Sequence, residues 1–324
     1  MPTCPHCGGE QPDDDLLRLH VERYCRAASR PEPEYVAAAE PIEATSAGDH
    51  DGIWHPSRDQ NFYLPDWIGR SLERLARMSE NAPVNVLLRG PQGSGKTSCA
   101  KQVAAAFRRP FASIEFGRLQ EPRDIFGERL YSPERGTYYV KSLLWRAIET
   151  EGCVILLDEI NRAENPKVVN PLLSLLDDRR EAWVDEIEAR LIVAPGVIFA
   201  ATINEGYDFS GIDTLDAALR DRFHQVLLRY PTPPTAVKII VSKVGVSHAD
   251  AKRLIEATSV DGVAPLRSLI KAAQHLKLGA SLGEAVRCGF AEAEPERLEA
   301  LLQRVQAHDN AASASFDASE RVWP

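Results

Sequence analysis

Gly90-Pro91-Gln92-Gly93-Ser94-Gly95-Lys96-Thr97 places glycines, a lysine and a hydroxyl at the spacing G-x-x-x-x-G-K-[ST]. That spacing handles phosphate. Glycines let backbone N–H groups turn inward around phosphate oxygens, and the start of a following helix adds favourable partial charge. Lys96 is expected to reach the β- and γ-phosphates of a nucleotide, and the Thr97 hydroxyl to hold Mg²⁺. With Ser98 opening the helix, residues 90–98 form the expected nucleotide-binding stretch. About sixty residues on, the apolar run Val154-Ile155-Leu156-Leu157 ends in Asp158 and Glu159. Adjacent carboxylates at a strand tip are costly unless a metal or hydrogen-bond donors satisfy them. Asp158 is expected in the Mg²⁺ shell, and Glu159 is expected to polarise an attacking water.

A second chemistry-bearing cluster lies near the N-terminus. Cys4-x₂-Cys7-x₁₂-His20-x₄-Cys25 has the spacing of a small zinc finger, with Cys4-Pro5-His6-Cys7-Gly8-Gly9 as its knuckle. Cys4, Cys7, His20 and Cys25 would close a tetrahedral structural Zn²⁺ site. His6 is the alternative to His20, and free thiols are the alternative to a metal. A segment this short needs such a staple to fold. Arg18, Arg23 and Arg26 are matched by Asp13, Asp14, Asp15 and Glu22, which favours docking to a protein over reading DNA.

Elements must carry these groups. The runs Val84–Gly90, Phe111–Phe116, Cys153–Glu159, Gly196–Asn204 and Gln225–Tyr230 are near-continuously apolar, as strands covered on both faces are. Between or before them, Ser71–Ser79, Thr97–Phe107, Val140–Thr150 and Pro166–Asp178 read as helices. The alternation predicts an α/β, doubly wound core with a five-stranded parallel sheet. Along the chain, residues 1–28 are the finger-like segment and 29–60 an acidic, Ala/Pro-rich flexible linker. The α/β core is expected over 61–231, a helical lid over 232–307 and a loose tail over 308–324.

Composition narrows the function classes. The chain has 324 residues, 44% hydrophobic and 26% charged, with a formal net charge of -9 from 38 basic and 47 acidic residues. That balance weighs against a broad electrostatic grip on DNA, although it does not exclude a local basic patch or pore lining. No signal-peptide pattern opens the sequence, and no apolar stretch approaches the ~20 residues of a membrane span. The expectation is a cytosolic protein with no membrane segment, in which Cys99, Cys153 and Cys288 are reduced.

The run Asp158-Glu159-Ile160-Asn161-Arg162-Ala163, followed by Leu172-Leu173-Ser174-Leu175-Leu176, resembles the Walker B region of MoxR-like AAA+ ATPases. These are related to the CbbQ/NorQ-type activators and the dynein-related AAA modules. The resemblance covers roughly residues 62–290. It implies a P-loop AAA+ core with a helical lid, ATP and Mg²⁺ as ligands, and a hexameric ring of identical subunits. By the same resemblance Asn204, ending Ala200-Ala201-Thr202-Ile203-Asn204, is the sensor that helps position the lytic water. Leu215–Phe223 is similar to the segment that sends an arginine into the neighbouring subunit's site, with Arg222 favoured and Arg220 as its partner or the true finger. Arg267, in Ala264-Pro265-Leu266-Arg267-Ser268, matches the lid arginine that contacts the γ-phosphate. Asp124-Ile125-Phe126-Gly127 resembles a family motif ahead of an insert over Arg129–Lys141, and Glu181–Pro195 resembles the hairpin before the sensor strand. The implied function is an ATP-hydrolysing motor or chaperone that remodels or activates a protein, often with a von Willebrand factor A partner. The alternative is a motor on DNA like the McrB group.

Overall fold

The five apolar runs form strands; the strand of the fifth, at the sheet edge, is not covered on both faces as expected, since His224, Gln225 and Leu227 are exposed. The computed structural model describes residues 35–37, 52–134, 136–163, 165–205, 215–259 and 264–319. The expected zinc ligands Cys4, Cys7, His20 and Cys25 lie outside them. In chain order the strands are β1 (Tyr35–Ala37), β2 (Ile53–Trp54), β3 (Tyr63–Pro65), β4 (Val84–Gly90), β5 (Phe111–Glu115), β6 (Gly127–Ser132), β7 (Gly136–Lys141), β8 (Val154–Asp158), β9 (Glu181–Val184), β10 (Ala189–Ile192), β11 (Ile198–Asn204) and β12 (His224–Leu227). The helices are α1 (Asp66–Met78), α2 (Lys96–Ala106), α3 (Leu143–Ile148), α4 (Asn170–Leu175), α5 (Ala217–Asp221), α6 (Pro233–Val244), α7 (His248–Thr258), α8 (Leu266–Lys277), α9 (Leu282–Gly289) and α10 (Pro295–Ser319).

The main sheet runs in the order β12-β4-β11-β8-β5-β2. Its first five strands are parallel, and β2 pairs antiparallel with β5 at the edge. Alternate side chains point to opposite faces, and the two faces have separate cores. Leu87, Ile155, Leu157, Phe199 and Ala201 pack toward α3 and α4. Val86, Leu88, Leu156, Ile198 and Ala200 pack with Leu72 of α1 and Ala100 of α2 on the other side. Burying both faces removes the polar alternation a half-exposed strand would show.

The register sets up the site. Asn204 pairs with Gly90, and Glu115 with Asp158, so the carboxyl ends of β4, β8 and β11 meet at one edge of the sheet. Ligands of open α/β sheets bind outside that edge, where the strand order switches. The lid, α6–α10, has a core of its own around Ile240, Leu254, Ala272 and Val286. Helices α8 and α9 approach closely at Gly289, where an added Cβ would stand 2.6 Å from the Ala272 Cβ and 2.7 Å from the Ser268 carbonyl oxygen.

Several boundaries differ from expectation. The core begins before residue 61: Ile53 and Trp54, inside the expected linker, add a sixth strand, held by the edge-to-face contact of Trp54 on Phe111 at 5.0 Å. Strand β1 of that linker pairs with β3. Helix α1 starts at Asp66, not Ser71, and α10 continues through the expected tail to Ser319, where Ala311, Ala312 and Ala314 favour helix. The expected helix Pro166–Asp178 divides into a 3₁₀ turn, Pro166–Val169, and α4, because Pro171 supplies no N–H for a continuous helix. Val140 and Lys141 belong to β7, and α3 starts after Ser142, whose hydroxyl accepts from the Trp145 N–H at 3.0 Å. Both expected inserts are hairpins, β6–β7 and β9–β10.

Candidate nucleotide site

The loop after β4 is shaped by glycines at two points. Gly90 has φ +148, and a Cβ there would run into the Leu228 carbonyl oxygen. Gly95, φ +90, turns the chain into α2. Lys96 is nearly buried, and its Nζ donates to the carbonyls of Gly90 at 2.9 Å and Pro91 at 2.8 Å. Burial lowers its pKa to about 8, against the opposing pull of Asp158 and Glu159. The Ser94 hydroxyl is buried with no partner inside the same loop. A polar atom left unpaired there fits a phosphate oxygen. Gln92 is fixed through its carbonyl by the Tyr230 hydroxyl at 2.7 Å.

The acidic pair sits directly across. Thr97 Oγ1 lies 3.1 Å from both Asp158 carboxylate oxygens. A hydroxyl facing a carboxylate is the hard-oxygen donor set that suits Mg²⁺. Glu159 leaves the strand in the left-handed region, φ 52, and Asn204 Nδ2 donates to its Oε1 at 2.9 Å. The structure therefore brings Lys96, Thr97, Asp158, Glu159 and Asn204 into one cluster.

Some members of that cluster were not singled out from the sequence. The Thr202 hydroxyl donates to Asp158 Oδ1 at 2.5 Å and accepts from the Glu159 N–H at 2.8 Å. Thr202 and Asn204 are two apart on one strand and so share a face, which is the signal that would have found it. Arg162 Nη1 meets Glu159 Oε2 at 2.8 Å. Glu205, next after Asn204, donates its N–H to the Gly90 carbonyl at 3.1 Å and pairs with Arg89 at 2.8 Å, tying the sensor strand to the phosphate loop.

A cleft of about 610 Å³ leads from Gly95 and Ser98 to the lid, lined by Tyr63, Leu64, Ile68 and Leu266 among others. It is concave, largely apolar and beside the phosphate loop, as a nucleobase requires. Arg267 opens α8, with its Cβ 3.5 Å from where a Cβ on Gly93 would be, so the lid abuts the loop there.

The other two arginines make their contacts outside this cluster. Arg220 Nη2 donates to the Leu215 carbonyl at 3.0 Å. Arg222 Nη1 donates to the Ala218 carbonyl at 2.6 Å, and its Nη2 lies 3.7 Å from Asp177. Asp216 caps α5 by accepting from the Ala218 N–H at 2.7 Å. Asn85 of β4 holds the segment against the sheet by donating to the Arg222 carbonyl at 2.9 Å.

The family model described as an AAA domain of the dynein-related subfamily matches residues 85–223, which contain the whole cluster. The putative chaperone BssE of Thauera aromatica is 39% identical over 76% of this chain and 88% of its own length. The chain belongs to the MoxR-like AAA+ ATPases. As a member of that family it binds and hydrolyses ATP with Mg²⁺. The denitrification regulatory protein NirQ of Pseudomonas aeruginosa is 29% identical over 69% of this chain and 89% of its own length. Protein NorQ of Paracoccus denitrificans is 27% identical over 72% of this chain and 87% of its own. Among solved structures, the Thermotoga maritima RuvB branch-migration motor is 20% identical over 75% of this chain and 69% of its own, with TM-score 0.44. Among the described residues no group of three or more His, Cys, Asp and Glu side chains is placed to hold a metal ion, and no helix is long and apolar enough to cross a membrane.

Proposed function

We propose that this AAA+ ATPase is a chaperone that remodels or activates a partner protein, and that the cluster around Glu159 drives it. The observation that carries the reading is the convergence of Lys96, Thr97, Asp158, Glu159 and Asn204 at one edge of the sheet. The phosphate loop binds the β- and γ-phosphates, with Lys96 as counter-charge. Mg²⁺ would be held by Thr97 and Asp158 and would supply charge neutralisation on the phosphates. Glu159, aimed by Asn204, orients the water for in-line attack on the γ-phosphorus. Arg267 approaches from the lid.

Arg222, with Arg220 beside it, acts on a neighbouring copy, so the working form is a ring, hexameric by family resemblance. In support, neither arginine contacts the chain's own cluster. The printed name of BssE, a putative chaperone at 39% identity, supports a protein substrate. A von Willebrand factor A protein is the proposed partner type, and a Zn²⁺ finger built on Cys4, Cys7, His20 and Cys25 is the proposed docking module. No observation favours a motor on DNA.

The test is affinity capture from the native host with Glu159→Gln, which should hold ATP and keep its partner bound. One protein enriched with ATP and released with ADP supports the reading. Equal recovery with both nucleotides removes it.

A further inference from the structure

Arg162 takes no part in the reaction as set out above, yet it touches the residue that matters most. It comes from the 3₁₀ turn Ile160–Arg162 that follows β8, and its N–H donates to the Glu159 carbonyl at 2.8 Å. That turn folds the arginine back over the carboxylate three residues before it. Both oxygens of Glu159 are then engaged, Oε1 by Asn204 at 2.9 Å and Oε2 by the Arg162 guanidinium at 2.8 Å.

The two donors differ in kind. Asn204 is 7% exposed, on a strand whose residues are all buried. The Arg162 side chain is 42% exposed and Glu159 29%. A group built to lock a base in its working pose is buried and held by its surroundings. An exposed ion pair is weak and easily broken. A guanidinium also withdraws the negative charge with which a carboxylate polarises water. Gly117 stands beside the base of the arginine, where an added Cβ would lie 4.0 Å from the Arg162 Cβ.

We propose that Arg162 is a positioning residue acting through Glu159 as a removable restraint. Paired, it draws the carboxylate away from the lytic water. Swung out past Gly117, it frees the carboxylate to orient that water. The inference rests on Glu159 being the residue that orients the water, and the experiment separates the two.

Steady-state ATP hydrolysis by the full chain, without any partner, is compared for wild type, Arg162→Ala, Arg162→Lys, Glu159→Gln and the Arg162→Ala/Glu159→Gln double variant. Binding of a fluorescent ADP analogue is measured alongside. Arg162→Ala is expected to raise kcat roughly two- to fivefold, the scale of one exposed ion pair, with KM and ADP affinity unchanged. Arg162→Lys, which keeps the cation, should return kcat toward wild type. The double variant should be as slow as Glu159→Gln. A kcat for Arg162→Ala that is unchanged or lower, with Glu159→Gln inactive, overturns the restraint and leaves the role of Glu159 standing. Wild-type turnover by Glu159→Gln overturns both.

Discussion

Lys96 shows how burial and function pull on one side chain. Its pKa is lowered to about 8 by burial, and the neighbouring carboxylates Asp158 and Glu159 limit the drop. Phosphate binding needs the protonated form. Above about pH 8 the free protein must therefore take up a proton to bind nucleotide, and affinity should fall as pH rises, by up to ~10-fold per unit. Titrating a fluorescent ADP analogue from pH 7 to pH 9 checks this; a flat Kd would show that the ammonium is not needed. For folding the sign is opposite. The ordinary value of 10.5 lies above the folded one, so the stability this group contributes is complete above 10.5 and is lost as pH falls through about 8. Thr202 makes a second case. Its hydroxyl joins the Asp158 carboxylate to the Glu159 backbone, and Thr202→Val keeps the shape while leaving both groups a bond short. Losing it should cost ~1–3 kcal/mol of ordering at the site. The expected result is a lower kcat and a higher Mg²⁺ requirement, with ADP affinity nearly unchanged. Activity and Mg²⁺ dependence equal to wild type would remove Thr202 from the site.

Strand ends and helix starts, more than whole segments, decide this site. Residues 90–98, Asp158 and Glu159 were legible in the sequence because each lies where an apolar run stops, and stops are visible as composition changes; Asn204 ends such a run too, and the family resemblance supplied its role. Thr202 was not, since a threonine inside a strand reads as an ordinary β-former. The Arg162–Glu159 pair was hidden because it depends on a left-handed residue at the end of β8, a conformation glutamate rarely adopts. Ile53–Trp54 was hidden too. Two apolar residues in an acidic stretch give no period, and only the open edge of β5 turns them into a strand. The cleft lined by Tyr63, Leu64 and Leu266 draws on residues some two hundred positions apart, which no local pattern reports. The lid offers a test of element packing. Gly289→Val pushes α9 off Ala272 and Ser268 of α8, the helix whose first turn carries Arg267. Overpacking of that kind costs ~1–3 kcal/mol. The variant should lower kcat and shift the melting of the lid, whose apolar core is separate from those on the two faces of the sheet. An unchanged kcat would uncouple lid packing from catalysis.

Assembled, the chain is a two-part machine: a sheet whose edge gathers the cluster, and a helical lid that meets it at Gly93. Its family is the MoxR-like AAA+ ATPases, and the proposed ring is supported by arginines whose contacts lie outside their own site. Mixing Arg222→Ala subunits with Lys96→Ala subunits should restore part of the activity that each lacks alone, because some mixed interfaces then hold one intact loop and one intact finger. Mixtures no more active than their parts would place Arg222 outside the neighbour's site. The central claim is that Glu159 orients the water for hydrolysis, and single-turnover hydrolysis of γ-labelled ATP by Glu159→Gln tests it most directly. The account predicts ATP bound as in wild type, with phosphate release slowed by ~10²–10⁴-fold. Release at the wild-type rate would contradict it.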